Sequence, residues 1–225
     1  MKKLIRKRKV MGQARRKIAM FLVTVLLLGL LPNGFYASAT APSGVAQGKE
    51  RALTWLVDAQ AEGGSFGDNR IIKDTTDAMT ELRRAGMSVE SQFLDAWYET
   101  TRQKNTDSLS RYYIAQEQQA ALLLLLENQN SDGGFGLSIP YTSDTLDSIL
   151  ALEAFNKGLS QMENDVPVDK ADKLLTYLKG RQNTDGGFGL TKESGSSVEL
   201  TARVGLALFL HLEKRNATSA EKDFI

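Results

Sequence analysis

Asn130-Ser-Asp132-Gly133-Gly134-Phe135-Gly136 follows directly on Ala120-Ala-Leu-Leu-Leu-Leu-Leu-Glu-Asn-Gln129, and this pairing of an apolar run with a glycine loop occurs three times. Upstream, Lys49-Glu-Arg-Ala-Leu-Thr-Trp-Leu-Val-Asp-Ala-Gln60 precedes Gly63-Gly64-Ser65-Phe66-Gly67. Downstream, Lys173-Leu-Leu-Thr-Tyr-Leu-Lys-Gly-Arg-Gln182 precedes Asn183-Thr-Asp185-Gly186-Gly187-Phe188-Gly189. The loop phenylalanines stand 69 and 53 residues apart. A second apolar segment opens after each loop, at Asp74-Thr-Thr-Asp77, Asp144-Thr-Leu-Asp147 and Val198-Glu-Leu-Thr201. Each unit reads as helix, glycine turn, helix, and a recurring unit of this length is the mark of a repeat architecture.

Periodicity favours helices over strands. Leu53, Leu56, Val57 and Gln60 recur at spacings of three and four, as do Leu146, Ile149, Leu150 and Leu152 with Phe155. Glycine after each Gln permits the left-handed backbone that stops a helix, and Gly86 and Gly158 close the later helices of the first two copies. Two further helices are expected, over Ser88–Thr101 and over Ser108–Gln129. The second would be one long rod whose leucines, Leu122–Leu126, cover every face and so require burial all round. The expectation is an all-α protein of about seven helices, arranged as stacked hairpins.

Outside the repeats the chain divides by charge. Of its 28 basic residues nine lie in the first 39 positions, which hold no acid; that leaves 19 against 27 acidic residues, a net charge near −8 for the body. The basic start, the apolar run Ile18–Leu31 and Ala37-Ser-Ala39 read as a signal peptide over 1–39, with export to the cell surface or medium as the expected localisation. An uncleaved anchor is the alternative, and membrane contact is expected only through this segment. The organisation that follows is a linker at 40–47, repeats at 48–86, 116–158 and 170–213 within a domain over 48–215, and a tail at 216–225. An acidic body argues against nucleic acid as a partner. Without cysteine and with His211 as the one histidine, thiolate chemistry, cysteine-based zinc and histidine-rich metal sites are excluded; no cofactor or metal is expected. His211 is expected on a helix surface or at the edge of the core.

The pattern basic, small, aromatic, aliphatic, Gln, then Gly-x-aromatic resembles the QW motif of the triterpene cyclases. Arg51, Ala52, Trp55, Leu56, Gln60, Gly64 and Phe66 fill it in the first copy; Lys173, Tyr177, Leu178, Gln182, Gly186 and Phe188 fill it in the third. The second copy has Ala120 and Leu124 at the basic and aromatic positions. Asp-Gly-Gly-Phe-Gly also resembles the prenyltransferase and squalene-oxidase repeats, which share the α/α toroid. The resemblance covers roughly residues 48–213. It implies a toroid-like array, here a partial, open ring, and a structural role for Gln60, Gly64, Phe66, Gln129, Gly133, Gly134, Phe135, Gln182, Gly186, Gly187 and Phe188. In those families the Gln bonds toward the next helix's backbone and stacks on the motif's aromatic ring.

For activity, the resemblance suggests a squalene–hopene-type acid at Asp74, Asp77, Asp144 or Asp147, although neither Asp-x-x-Asp has an adjacent carboxylate pair. The residues themselves read more simply as helix caps, with Ser196-Ser-Val-Glu199 the third such spelling. Trp97, Tyr98, Tyr112 and Tyr113 are candidates to line a ligand cavity. The leading expectation is a secreted binding or scaffold module whose partner is a hydrophobic small molecule or an extracellular protein, with self-association possible through an open ring edge. A terpenoid-cyclase or prenyltransferase-like enzyme, or a truncated fragment of one, is the alternative. Asn216-Ala-Thr218 spells a glycosylation sequon.

Overall fold

A computed structural model describes residues 43–101, 104–159 and 166–215. The expected signal peptide over 1–39, the start of the expected linker, the expected tail at 216–225 and the Asn216-Ala-Thr218 sequon lie outside the described residues. What is described is all-helical: α1 Ser43–Asp58, α2 Ile71–Arg84, α3 Gln92–Thr100, α4 Thr106–Gln116, α5 Gln119–Glu127, α6 Thr145–Gly158, α7 Val168–Arg181 and α8 Val198–Lys214. Two isolated bridges, Phe135 to Asp144 and Gln182 to Phe188, are the only extended pairing among these residues. The chain falls into two compact units, residues 43–62 with Glu81–Val89, and Gly63–Thr80 with 90–215.

The helix starts follow local chemistry. Side-chain oxygens of Ser91, Asn105, Asp144 and Ser197 accept from the backbone N–H three residues on, opening α3, α4, α6 and α8. The expected helix from Ser88 therefore begins only at Gln92, and α8 is capped by Ser197, not Ser196. The expected rod over Ser108–Gln129 is two helices. Glu117 takes a left-handed conformation, φ 58°, and ends α4, its N–H bonding the Tyr113 carbonyl. Its carboxylate meets the Lys157 ammonium at 2.5 Å.

Within the larger unit α6 is the central element, packed against α4, α7 and α8. Ile149, Ala151, Leu152, Ala154 and Phe155 are wholly buried, so most of the circumference of α6 is covered, and the stripe of Leu146, Glu153 and Lys157 stays partly open. Phe135 meets Phe155 edge-on at 5.9 Å. The leucine run of α5 behaves differently. Leu122 and Leu125 are buried, but Leu123 is 54% exposed and Leu124 38%. A 9-residue helix seated on α4 by one side leaves the other wet.

His211, expected at the surface or core edge, is wholly buried where α8 packs on α6. The Asn156 amide Nδ2 donates to the Ala207 carbonyl at 2.9 Å, which turns its Oδ1 toward His211 Nδ1 at 2.7 Å. Nδ1–H is thus the donor and Nε2 a bare lone pair. Burial, reinforced by the nearby Arg215 and Lys214 charges against Asp172, pushes the imidazole down to about 4.

Candidate functional site

The glycine loops set the register of everything that follows. In the second and third loops the hydrogen bonds are the same: Asn130 N–H to Gly134 O and Gly133 N–H to Asn130 O, matched by Asn183 to Gly187 and Gly186 to Asn183. Asp132 and Asp185 each accept from the N–H two residues on. Gly133 and Gly186 hold φ near +86° and +82°, which excludes most other residues there.

Each loop then latches onto its following helix through one hydroxyl. The N–H groups of Phe66, Phe135 and Phe188 donate at 2.9 Å to Thr75 Oγ1, Ser148 Oγ and Thr201 Oγ1. Those three residues are structural equivalents. In that frame Asp74 matches Asp147, not Asp144, because the first loop reaches its latch after nine residues and the others after thirteen. The two Asp-x-x-Asp spellings are one helical turn out of step.

The four candidate aspartates consequently do four different things. Asp144 is the N-cap of α6, accepting from the Asp147 N–H at 2.9 Å. Asp74 lies inside the first turn of α2 and caps nothing; it faces Arg70 at 4.0 Å and fills the space over Gly67, where a Cβ would stand 2.5 Å from its Oδ2. Asp77 pairs with Lys73 on its own helix and takes Arg111 Nη1 at 2.7 Å. Asp147 is buried and joins no ion pair among the described residues.

Arg111 also donates through Nε to Asp107 at 2.6 Å, so it bridges α2 and α4. Across α6, Arg203 of α8 grips Glu153 with both ends of its fork, at 2.8 and 2.7 Å. Burial opposes the Arg203 charge, but Glu153, with Asp77 and Asp107 beyond it, more than offsets this and raises its pKa. The field of Asp107 likewise reaches Asp147. Lys73, Asp77, Asp107, Arg111, Asp147, Glu153 and Arg203 therefore form one charged cluster drawn from α2, α4, α6 and α8. Burial, the neighbouring Asp144 charge and a carboxyl–carboxyl hydrogen bond to Asp144 push Asp147 up to about 7, with Asp107 adding to the effect. Asp147 therefore keeps its proton into the neutral range.

The candidate aromatics sit elsewhere. Tyr98 stacks on Tyr112 at 4.6 Å and Trp97 leans on the same ring at 5.8 Å, joining α3 to α4. Lys104 caps the Tyr98 face at 4.6 Å. Burial first, and then the Asp95 carboxylate that accepts from its hydroxyl at 3.3 Å, raises the Tyr112 pKa. Tyr113 is buried on another side of α4, its hydroxyl close to Gly158. The four rings pack on protein and do not converge on the charged cluster.

Of the motif glutamines, Gln129 is buried and donates at 2.9 Å both to Gly133 O of its own loop and to Lys170 O of α7. Gln182 donates to Gly186 O at 2.8 Å. Tyr177 packs its ring over Gly134, where a Cβ would stand 2.7 Å away. Among the described residues no group of three or more His, Asp or Glu stands where it could hold a metal ion. No protein-family model matches the chain, and no curated protein matches it. Lys73, Asp107, Arg111, Glu153 and Arg203 were not legible as a site because no short motif joins them.

Proposed function

We propose that this chain is an exported α/α-toroid-type module that binds or scaffolds a polar partner outside the cell, without catalytic turnover of its own. The observation that carries this reading is the mutual pairing of the cluster: Asp77 and Asp107 with Arg111, Glu153 with Arg203. A carbocation cyclase needs an apolar, water-free chamber with a strong acid at its wall. Paired guanidinium and carboxylate groups suit hydrogen-bonding polar ligands instead, since a forked Arg can exchange its carboxylate partner for one on the ligand. Ring geometry and export belong to the same proposal, supported by the repeated loop chemistry and by the Gln129 bond to the next helix. The test is retention of soluble cell-surface polymers and proteins by immobilised full chain, compared with Arg203→Ala and Arg111→Ala chains of unchanged helix content. Binding reduced at least about tenfold by these changes is expected, as for an Arg hot spot. Retention indifferent to both, or none at all, would overturn the reading.

A second reading rests on Asp147. A buried carboxyl that keeps its proton near neutrality is equipped to donate it. On that reading the full chain converts a substrate with a pH limb near 7, and Asp147→Asn removes both turnover and limb. Incubation with squalene and with prenyl diphosphates is the direct trial, and absence of product in every case removes this alternative.

A further inference from the structure

We propose that copies of this chain associate head to tail, with α1 of one seated on the third glycine loop and the α7–α8 groove of the next. Equivalence between the glycine loops and their seated helices carries this pairing, independently of the ligand reading above. Within the chain, α7 shows what a seated helix does to the preceding loop. The Lys173 carbonyl lies where a Gly133 Cβ would be, at 2.6 Å; the Tyr177 ring covers Gly134; Lys170 takes the Gln129 amide on its carbonyl and sends its ammonium to Leu126 O at 3.1 Å. The first loop is also met, by α3, through the Phe93 N–H to Gly63 O bond at 2.9 Å.

The third loop has no such visitor among the described residues. Nothing lies within 4 Å of a Cβ built on Gly186, and Gln182 is exposed and bonds its own loop, where Gln129 is buried and bonds α7 as well. One turn earlier on α7, Lys179 stands at the position of Leu126, at the edge of a groove of about 250 Å³ between α7 and α8. Leu175, Leu208 and Leu212 line that groove.

The matching part is α1. In the motif register Gly48, Arg51, Trp55 and Gln60 occupy the positions of Lys170, Lys173, Tyr177 and Gln182. Trp55 is 47% exposed, whereas Tyr177, seated on the second loop, is 9% exposed. Gly48, Arg51 and Trp55 fall on one side of α1 at spacings of three and four, and Val45 beside them is 59% exposed. A helix written in the spelling of α7 thus presents its docking aromatic to water, while a loop written in the spelling of the second loop lacks a seated helix. The two surfaces differ, so the contact is heterologous, and a first copy leaves a free seat for a third.

The experiment is light scattering of full chain over a wide concentration series, with Trp55 emission as a second readout. Concentration-dependent growth in mass is expected, with blue-shifted emission absent from Trp55→Ala. Trp55→Ala and, separately, Gln182→Glu weaken association at least about tenfold, as for a central aromatic anchor, with helix content unchanged. Mixed in equal amounts, the two variants form a one-to-one dimer and nothing larger, because one retains an intact seat and the other an intact α1. A full chain that stays monomeric, association indifferent to Trp55→Ala (as apolar sticking through Ile18–Leu31 would be), or a mixture that forms no dimer would each overturn the proposal.

Discussion

Asp74-Thr-Thr-Asp77 and Asp144-Thr-Leu-Asp147 look like the same phrase, yet they begin one helical turn apart in their helices. On α6 the first Asp is a cap and the second a buried carboxyl. On α2 the first Asp already lies within the helix, and the second has moved along to the place that Arg203 holds on α8. The difference teaches that register in this chain is set by the loop's hydroxyl latch, not by the acidic spelling. A longer loop delays the latch and pulls the spelling out of step.

The strongest way to break this comparison is to cut the latch. Ser148→Ala leaves the Phe135 N–H buried without an acceptor and is expected to cost about 2 kcal/mol in urea unfolding; Thr75→Val acts alike on Phe66. Thr145→Val is expected to cost nothing, because the Thr145 hydroxyl is buried without a partner. A loss from Thr145→Val equal to that from Ser148→Ala would restore the naive register. Next, Asp147→Asn separates the second aspartates. The folded-state pKa of Asp147 lies above its unfolded value, so its stabilising contribution is complete below about pH 3.8 and disappears as pH rises through about 7. The variant is therefore expected to match the parent near pH 3 and to exceed it by about 1–2 kcal/mol at pH 8, allowing for partial screening. Thermal unfolding at the two pH values measures the gap.

Smaller effects sharpen the first aspartates. Asp144→Ala removes a helix cap and is expected to cost about 1 kcal/mol. By deleting the neighbouring charge and hydrogen bond it also lowers the Asp147 pKa, visible in carboxyl-carbon NMR titration. Asp74→Ala, which deletes a long and exposed ion pair and the carboxylate over Gly67, is expected to stay within about 0.5 kcal/mol of the parent.

Much of the fold was legible because the decisive signals are local. Gly133 and Gly186 require left-handed backbone, Gln129 sits where a helix end needs a donor, and the 3–4 spacing of leucines selects helix. Where sequence reading failed, the determining contact is remote or unmarked. Glu117 breaks a helix without the glycine, proline or asparagine that would announce it, steadied by a lysine forty residues on. The burial of His211 depends on Asn156, a partner on another helix. The charged cluster takes one or two residues from each of four helices, and a signal for it exists only in the latch frame: two residues after the hydroxyl position stand Asp77 and Arg203. No alignment on the aspartates would bring those two to the same place.

One bond pattern bears on how the chain emerges during synthesis. The buried N–H of Thr106 that opens α4 is answered by the carbonyl of Leu137, and that of Thr145 opening α6 by Leu190. Each helix front is thus completed by a loop translated well after it. On the ribosome each of these two helices would wait, its leading amide unanswered, until the later loop left the exit tunnel.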